Sequence, residues 1–446
     1  MTYQQALDYL ASLNTFGMRL GLSRILRLTE ILGNPQEKYR TIHVTGTNGK
    51  GSVSALTAAA LTASGLQTGL FTSPHLSKYN ERIRVDGADI SDEDFARMLS
   101  RTQEAAEKMI AGGGESPTQF EVLTAAAFLY FAEQKVDYAV IEVGLGGLLD
   151  STNIIAPVVS VITNVTLEHA DMCGGTLEGV AEHKAGIIKE GVPVVTAAKG
   201  MPLKVIRRAA KGNHAPLYVM GEDFELRERS RGAEGQRLSL EAPELSLSDW
   251  RYELPFAAPY QAENSAVAVM LLAVLAQRDA RISMPEAMEA FRRATWPGRF
   301  ERMDIGEQKI VVDGAHNPAG AKAFREALDS VFPTSSRVFL LGILHDKAVD
   351  EMLDILLRPE DVVIVTQPDS ERAELPERLL QSVRKRVRQA KTEPDRGRAL
   401  ECALAAAKGK ILCCTGSLYL IGDLRERIVA RKEEAGDAGI GNDEHH

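Results

Sequence analysis

Cysteine is scarce in this 446-residue chain, and the four present (Cys173, Cys402, Cys413, Cys414) have no zinc-ligand spacing. No disulfide framework is expected, and adjacent Cys413 and Cys414 fall in an apolar, strand-like run where thiols are commonly buried. No apolar run is long enough to span a bilayer, and the start Met1-Thr2-Tyr3-Gln4-Gln5-Ala6-Leu7 lacks a basic segment followed by an apolar one. The expectation is a soluble, cytoplasmic protein with no membrane partner. Basic excess is missing as well: 52 Lys and Arg face 61 Asp and Glu, a formal charge of -9, which argues against nucleic acid as a partner. Repeats and low-complexity tracts are also lacking. At 44% hydrophobic and 25% charged, the composition is that of a globular protein, with length enough for roughly two or three packed cores.

What is present is an alternation of helical and strand patterns. Helices are predicted from about Thr2 to Leu13 and Leu22 to Leu32, then a strand, a helix to Ser64 and a strand over Thr68–Thr72. Apolar strands recur at Tyr138–Val143, Val158–Thr163 and Val192–Thr196, which predicts a mostly parallel sheet covered on both faces, with its chemistry at the strand C-terminal ends. From Leu217 to Leu254 short alternating runs predict an antiparallel insertion. Helices follow near Ala262–Ala276 and Pro285–Ala294. Trp296-Pro297-Gly298-Arg299 then breaks the pattern like an interdomain joint. The βα rhythm restarts with strands at Ile310–Val312, Val338–Leu341, Val362–Thr366 and Ile411–Cys414, a second α/β domain. From Lys432 the chain is polar, and a frayed tail is expected over 432–446.

The strongest local signal is Gly46-Thr47-Asn48-Gly49-Lys50-Gly51-Ser52, between an apolar strand and an Ala-rich helix. Small residues let backbone N–H groups converge on phosphate oxygens, the helix start adds a positive dipole, and Lys50 neutralises the terminal phosphates. Ser52 can supply a hydroxyl to magnesium. The strict phosphate-loop pattern is not met, because Val44 stands where it wants Gly and Gly51 separates the Lys from the Ser. A ligand-free Gly-rich turn is the rival reading.

Other candidates sit at strand ends. Glu142 precedes Gly144-Leu145-Gly146-Gly147, the position of a magnesium-holding acid or of a plain solvated carboxylate. Thr163-Asn164, Leu167-Glu168-His169 and Asp171 group an imidazole with carboxylates, as a divalent cation requires, although a lone His such as His169 is more often a surface or core residue. Lys184 by itself reads as a helix charge. Asp313 could receive a ribose or an amine, and His316 could orient a carboxylate; alternatively Asn317-Pro318 is simply an N-cap with Pro at the first helical position.

Taken in order, these motifs, together with Thr72-Ser73-Pro74-His75-Leu76, Lys184-Ala185-Gly186-Ile187, Pro297-Gly298-Arg299-Phe300-Glu301 and His345-Asp346-Lys347, resemble the folylpolyglutamate synthase/dihydrofolate synthase family of the Mur ligase superfamily over nearly the whole chain. The resemblance implies an α/β protein: a Mur-ligase-like, phosphate-loop ATPase domain over 1–295 and a smaller Rossmann-like domain over 296–431. It implies ATP-driven addition of L-glutamate to a reduced folate such as tetrahydrofolate, through an acyl phosphate, by a monomer, and leaves open whether dihydropteroate is also an acceptor. By motif, Gly46, Thr47, Asn48, Gly49, Lys50, Gly51 and Ser52 would hold the ATP phosphates. Ser52, Ser73, Glu142, His169 and a carbamylated Lys184 would hold magnesium, and Gln261, Asn264, Arg299 and Asp313 would contact the nucleotide elsewhere. Lys50, Lys184 and His316 are the expected catalytic residues, with His316 at the glutamate or acyl-phosphate site. Phe120 could stack on the pterin or simply be core packing.

The chain departs from the family pattern at Leu148, where Arg is usual, at Ser151 for Ala, and at Glu168 for Asp; Ala170 and Met172 stand where Thr and Trp are common. Loss of that Arg removes a bidentate donor near the site and bears on substrate range. Two other readings stand beside this one: a Mur-type ligase acting on a UDP-sugar peptide, which Gly51-Ser52 and Thr72-Ser73-Pro74-His75-Leu76 disfavour, and a non-catalytic nucleotide-binding regulator.

Overall fold

A computed structural model describes residues 1–13, 19–168, 172–245 and 247–440, the last six of these as helical backbone. Among the described residues the strands are β1 Arg40–Thr45, β2 Thr68–Phe71, β3 Ile83–Val85, β4 Ala88–Asp89, β5 Tyr138–Glu142, β6 Pro157–Ile162, β7 Val194–Thr196, β8 Leu217–Val219, β9 Glu225–Gly232, β10 Gly235–Ala242, β11 Leu247–Leu254, β12 Glu301–Arg302, β13 Lys309–Val312, β14 Arg337–Leu341, β15 Val362–Val365, β16 Gln389–Thr392 and β17 Ile411–Thr415. They form three sheets. The first has order β4-β3-β2-β5-β1-β6-β7-β8, parallel except for the β3–β4 hairpin at one edge. The second is the antiparallel ribbon β11-β10-β9, and the third is β12-β13-β17-β14-β15-β16, with β12 the antiparallel edge.

Strand β1 lies at the centre of the first sheet, between β5 and β6. Its residues are buried from Thr41 onward because helices cover both faces, so the polar Thr41, His43 and Thr45 are enclosed along with the apolar Ile42 and Val44 that alternate with them. On one face sit the helix Lys50–Ala63, whose small Gly and Ala residues allow close approach, and the helix Tyr260–Ala276. The latter is apolar all round because it is sandwiched between the first sheet and the ribbon. On the other face the helices Asp92–Ala111 and Gln119–Glu133 bury Phe95, Phe128 and Phe131.

The third sheet divides its side chains by the two-residue period of a strand. Val311, Phe339, Leu341, Val363 and Cys413 face one core, and Ile310, Val312, Val338, Leu340, Leu412 and Cys414 face the other. Neighbouring Cys413 and Cys414 thus point to opposite faces, both buried and unbridged. The last helix spans Leu418–Ile440 and continues through Lys432, where polarity predicts a frayed tail. Arg431, Lys432, Glu433 and Glu434 are good helix formers, so propensity outweighs lack of burial there.

Candidate active site

The C-terminal end of β1 delivers the chain into Gly46–Gly49, and the helix Lys50–Ala63 leaves it. Two glycines are obligatory. Gly46 has φ 150° and a Cβ there would lie 1.8 Å from Thr163 Oγ1; Gly49 has φ 85° and its Cβ would lie 2.2 Å from Asn264 Oδ1. The loop is pinned from the β6 side. Thr163 Oγ1 donates to Asn48 O at 2.6 Å, Asn48 N donates to Asn164 Oδ1 at 2.9 Å, and Thr47 N donates to Asn164 O at 2.9 Å. Lys50 arches over the loop, its Nζ 3.1 Å from both Gly46 O and Thr47 O.

Lys184, on the helix Leu177–Ala185, donates to Gly46 O at 2.8 Å and is 6% exposed. Burial, reinforced by the charge of Lys50, pushes its ammonium from 10.5 down to about 7. Glu142 ends β5 and is 4% exposed; its Oε2 accepts the Ser73 N–H at 3.1 Å. It makes no salt bridge among the described residues, and burial raises its carboxyl against the opposing pull of Lys50. A buried carboxylate left without a fixed counter-ion at the floor of a polar cleft suits a hard cation.

The second α/β unit closes the cleft. Asp313, at the end of β13, accepts from Tyr260 Oη at 3.0 Å, Phe300 N at 2.7 Å and Ala315 N at 2.8 Å, and burial raises its carboxyl. His316 Nδ1 lies 2.8 Å from Gly314 O, which can only accept, so Nδ1 carries the proton and Nε2 is left as an acceptor in the neutral ring. Burial lowers its pKa and favours that neutral form. Asn317 caps the helix Pro318–Val331 through Gly320 N at 2.7 Å, as the N-cap reading expects, and its Nδ2 donates to Glu168 Oε1 at 2.7 Å.

These groups line one cleft of about 430 Å³ between the units, including the whole loop Gly46–Ser52, Ser73, Glu142, Lys184, Asn264, Arg299, Asp313 and His316. Gln261 and Phe120 do not line it. Gln261 is fully buried; its Oε1 accepts from Asn264 Nδ2 at 2.9 Å and its own Nε2 has no partner among the described residues. The Phe120 ring is half-buried against Phe71 at 5.9 Å between centroids and beside Gly144. His169, Ala170 and Asp171 lie outside the described residues. No cluster of three His, Cys, Asp or Glu gathers among the described residues, so Glu142 is the lone fixed carboxylate of the expected metal set.

Two supports have no counterpart among the sequence candidates: Tyr260 aims its hydroxyl at Asp313, and Asp150 anchors Gly144–Gly147 by accepting Leu145 N at 2.8 Å. Asn164, grouped by sequence with a candidate cation site, holds the loop amides. An Asp three residues after Gly147 was the available sequence signal for Asp150.

Residues 44–272 match the Mur ligase middle domain family, and residues 298–418 match the Mur ligase glutamate ligase domain family, the two meeting across the joint that bounds the cleft. The protein is thus an ATP-dependent ligase of the Mur class. Whole-chain similarity narrows this further. It is 36% identical to folylpolyglutamate synthase of Lacticaseibacillus casei over 436 residues, covering 97% of this chain and 100% of the relative. It is 34% identical to dihydrofolate synthase/folylpolyglutamate synthase of Bacillus subtilis, covering 96% and 99%. The Mycobacterium tuberculosis folylpolyglutamate synthase solved with ADP and AMPPCP has a TM-score of 0.86 at 31% identity, over 96% of this chain and 99% of that one. The chain belongs to the folylpolyglutamate synthase/dihydrofolate synthase family.

Proposed function

We propose that this chain uses ATP to join L-glutamate to tetrahydrofolate, with dihydropteroate the second acceptor to test beside it. The observation that carries the reading is the convergence, in one cleft, of a phosphate loop from the first sheet with the Asp313–Asn317 loop from the third. A carboxylate is a poor acylating agent in water. Transfer of the γ-phosphoryl to a folate carboxylate gives an acyl phosphate and ADP; attack by the glutamate amine then forms the amide and expels phosphate.

Each residue has a task in that sequence. The Gly46–Ser52 amides and Lys50 bind the triphosphate and offset its repulsion of the incoming carboxylate. Asn264, Arg299 and Asp313 contact the rest of the nucleotide, and Gln261 orients Asn264 from behind. His316, with Nε2 free to accept, takes a proton from the attacking amine. Magnesium fits the buried Glu142 carboxylate, which makes no salt bridge among the described residues, with Ser52 and Ser73 as neighbouring oxygen donors and His169 the further ligand drawn from the motif. When bound, it neutralises phosphate charge and polarises the γ-phosphoryl. Lys184, its pKa lowered by burial to about 7, carries a substantial neutral-amine fraction at neutral pH, the form that carbon dioxide requires for carbamylation. Phe120 is assigned to the pterin end by motif alone. The ligase is taken to be monomeric and cytoplasmic, with domains divided at 295/296.

The test is to incubate purified protein with ATP, magnesium and glutamate, offer each acceptor in parallel, and weigh the products. A mass gain of one glutamyl unit is expected with tetrahydrofolate. No gain with either acceptor refutes the reading; ATP binding without glutamate-dependent ADP release would identify a regulator, and product only with a UDP-sugar peptide would identify the other Mur branch.

A further inference from the structure

We infer that Glu168 and Asn317 form a closure latch, in which Glu168 is a positioning residue that holds the second α/β unit over the phosphate loop and keeps water from the acyl phosphate. The inference rests on the ligation reading above. Glu168 lies beyond β6 in the first unit and Asn317 beyond β13 in the second, 149 residues apart, and their side chains meet at 2.7 Å.

The Asn317 amide cannot be turned round. Gly320 N–H must meet the amide oxygen, so Nδ2 is committed to face Glu168. Both partners are largely shielded, Glu168 with its side chain 18% exposed and Asn317 at 9%, which strengthens a bond to a charged acceptor. The same Glu168 oxygen is 4.0 Å from His316 Nε2.

On its own side, the segment carrying Glu168 is fastened to the phosphate loop. Thr166 N donates to Thr47 Oγ1 at 3.0 Å, and Thr47 Oγ1 donates to Thr166 O at 3.3 Å. A short mechanical path therefore runs from the capped helix of the second unit, through Asn317 and Glu168, to the loop that grips phosphate. Other bonds between the units lie elsewhere: Tyr260 to Asp313 joins residues only 53 apart that flank the joint, so the chain's own path already holds them near, while Arg231 to Ser330 and Arg302 to Ala233 and Glu234 tie the antiparallel ribbon to the second unit. Closure at the Glu168 side has no such help. An acyl phosphate in a cleft that opens there meets water before it meets glutamate.

The experiment compares wild type, Glu168→Ala and Glu168→Gln, counting ADP released per glutamyl bond formed. Gln keeps an acceptor oxygen and loses the charge. Wild type and Glu168→Gln should stay near stoichiometric, while Glu168→Ala should release roughly three- to tenfold more ADP per bond. Hydrogen exchange without substrate supplies a second readout: Glu168→Ala should speed exchange in residues 164–168 and 314–320 together, and Glu168→Gln should not. Unchanged coupling and exchange in Glu168→Ala overturns the latch, as does Gln behaving like Ala, which would make charge rather than the hydrogen bond the cause. If wild type forms no glutamyl product, the ligation reading falls and the exchange data alone decide the latch.

Discussion

Lys184 should make the fold less stable at neutral pH than a chain lacking it, and the deficit should shrink as pH rises. Its ammonium titrates at 10.5 when free and at about 7 in the fold. Between those values the folded chain binds fewer protons at this site than the unfolded chain, so stability climbs with pH across the window, and the penalty is at its full value below pH 7. At 1.36 kcal/mol per unit, and with the folded amine half-protonated at pH 7, the penalty is about 4 kcal/mol there and about 2 kcal/mol at pH 9. Methionine fills the same space without charge and gives up the bond to Gly46 O, worth about 1 kcal/mol. Lys184→Met should therefore be more stable by about 3 kcal/mol at pH 7 and by about 1 kcal/mol at pH 9. Urea unfolding in carbon dioxide-free buffer, followed by circular dichroism at both pH values, measures the gap. A gap that does not narrow, or a methionine variant weaker at pH 7, would refute burial as the source of the shift. The same variant should lose ligase activity, and bicarbonate should stabilise wild type but not the variant.

Gly49→Ala should lose roughly 1–2 kcal/mol from its left-handed backbone alone and weaken ATP binding by displacing Asn264, read by melting temperature and the KM for ATP; an unchanged KM would contradict the close packing of that loop. Glu142→Gln should cut glutamate-dependent ADP release by roughly 100-fold or more while folding normally, and retained activity would remove Glu142 from the metal set. Phe120→Ala should raise the KM for folate far more than that for ATP if the ring meets the pterin, whereas equal changes would assign it to packing against Phe71.

Where burial on both faces wrote itself into the chain, the fold could be read in advance: β5, β6 and β14 are apolar runs, and the phosphate loop announces itself by its glycines and Lys50. The edges were harder. β16, Gln-Ala-Lys-Thr, is half-exposed and looks like loop, and β12 is two polar residues whose strand character comes only from pairing with β13. The β3–β4 hairpin did carry a signal, Asp86-Gly87 with φ of 50° and 82°, the usual tight-turn pair. Within the site, residue types were legible and partnerships were not. Nothing local tells Thr163 that its hydroxyl will hold Asn48, or Asn317 that its amide will reach Glu168, because such pairings are decided by which strands neighbour one another. Gln261 shows the converse: its motif reads as ligand contact, yet the structure puts it behind Asn264.

The central placement of β1 has a consequence for synthesis. The strand and its glycine turn leave the ribosome early, but Thr163, Asn164, Lys184 and Asn264, which brace that turn, are all translated much later. A half-made chain owns the signature of a nucleotide grip without the scaffold that shapes it. Truncated products should be unable to capture ATP, and competence should arrive abruptly once the helix bearing Asn264 docks.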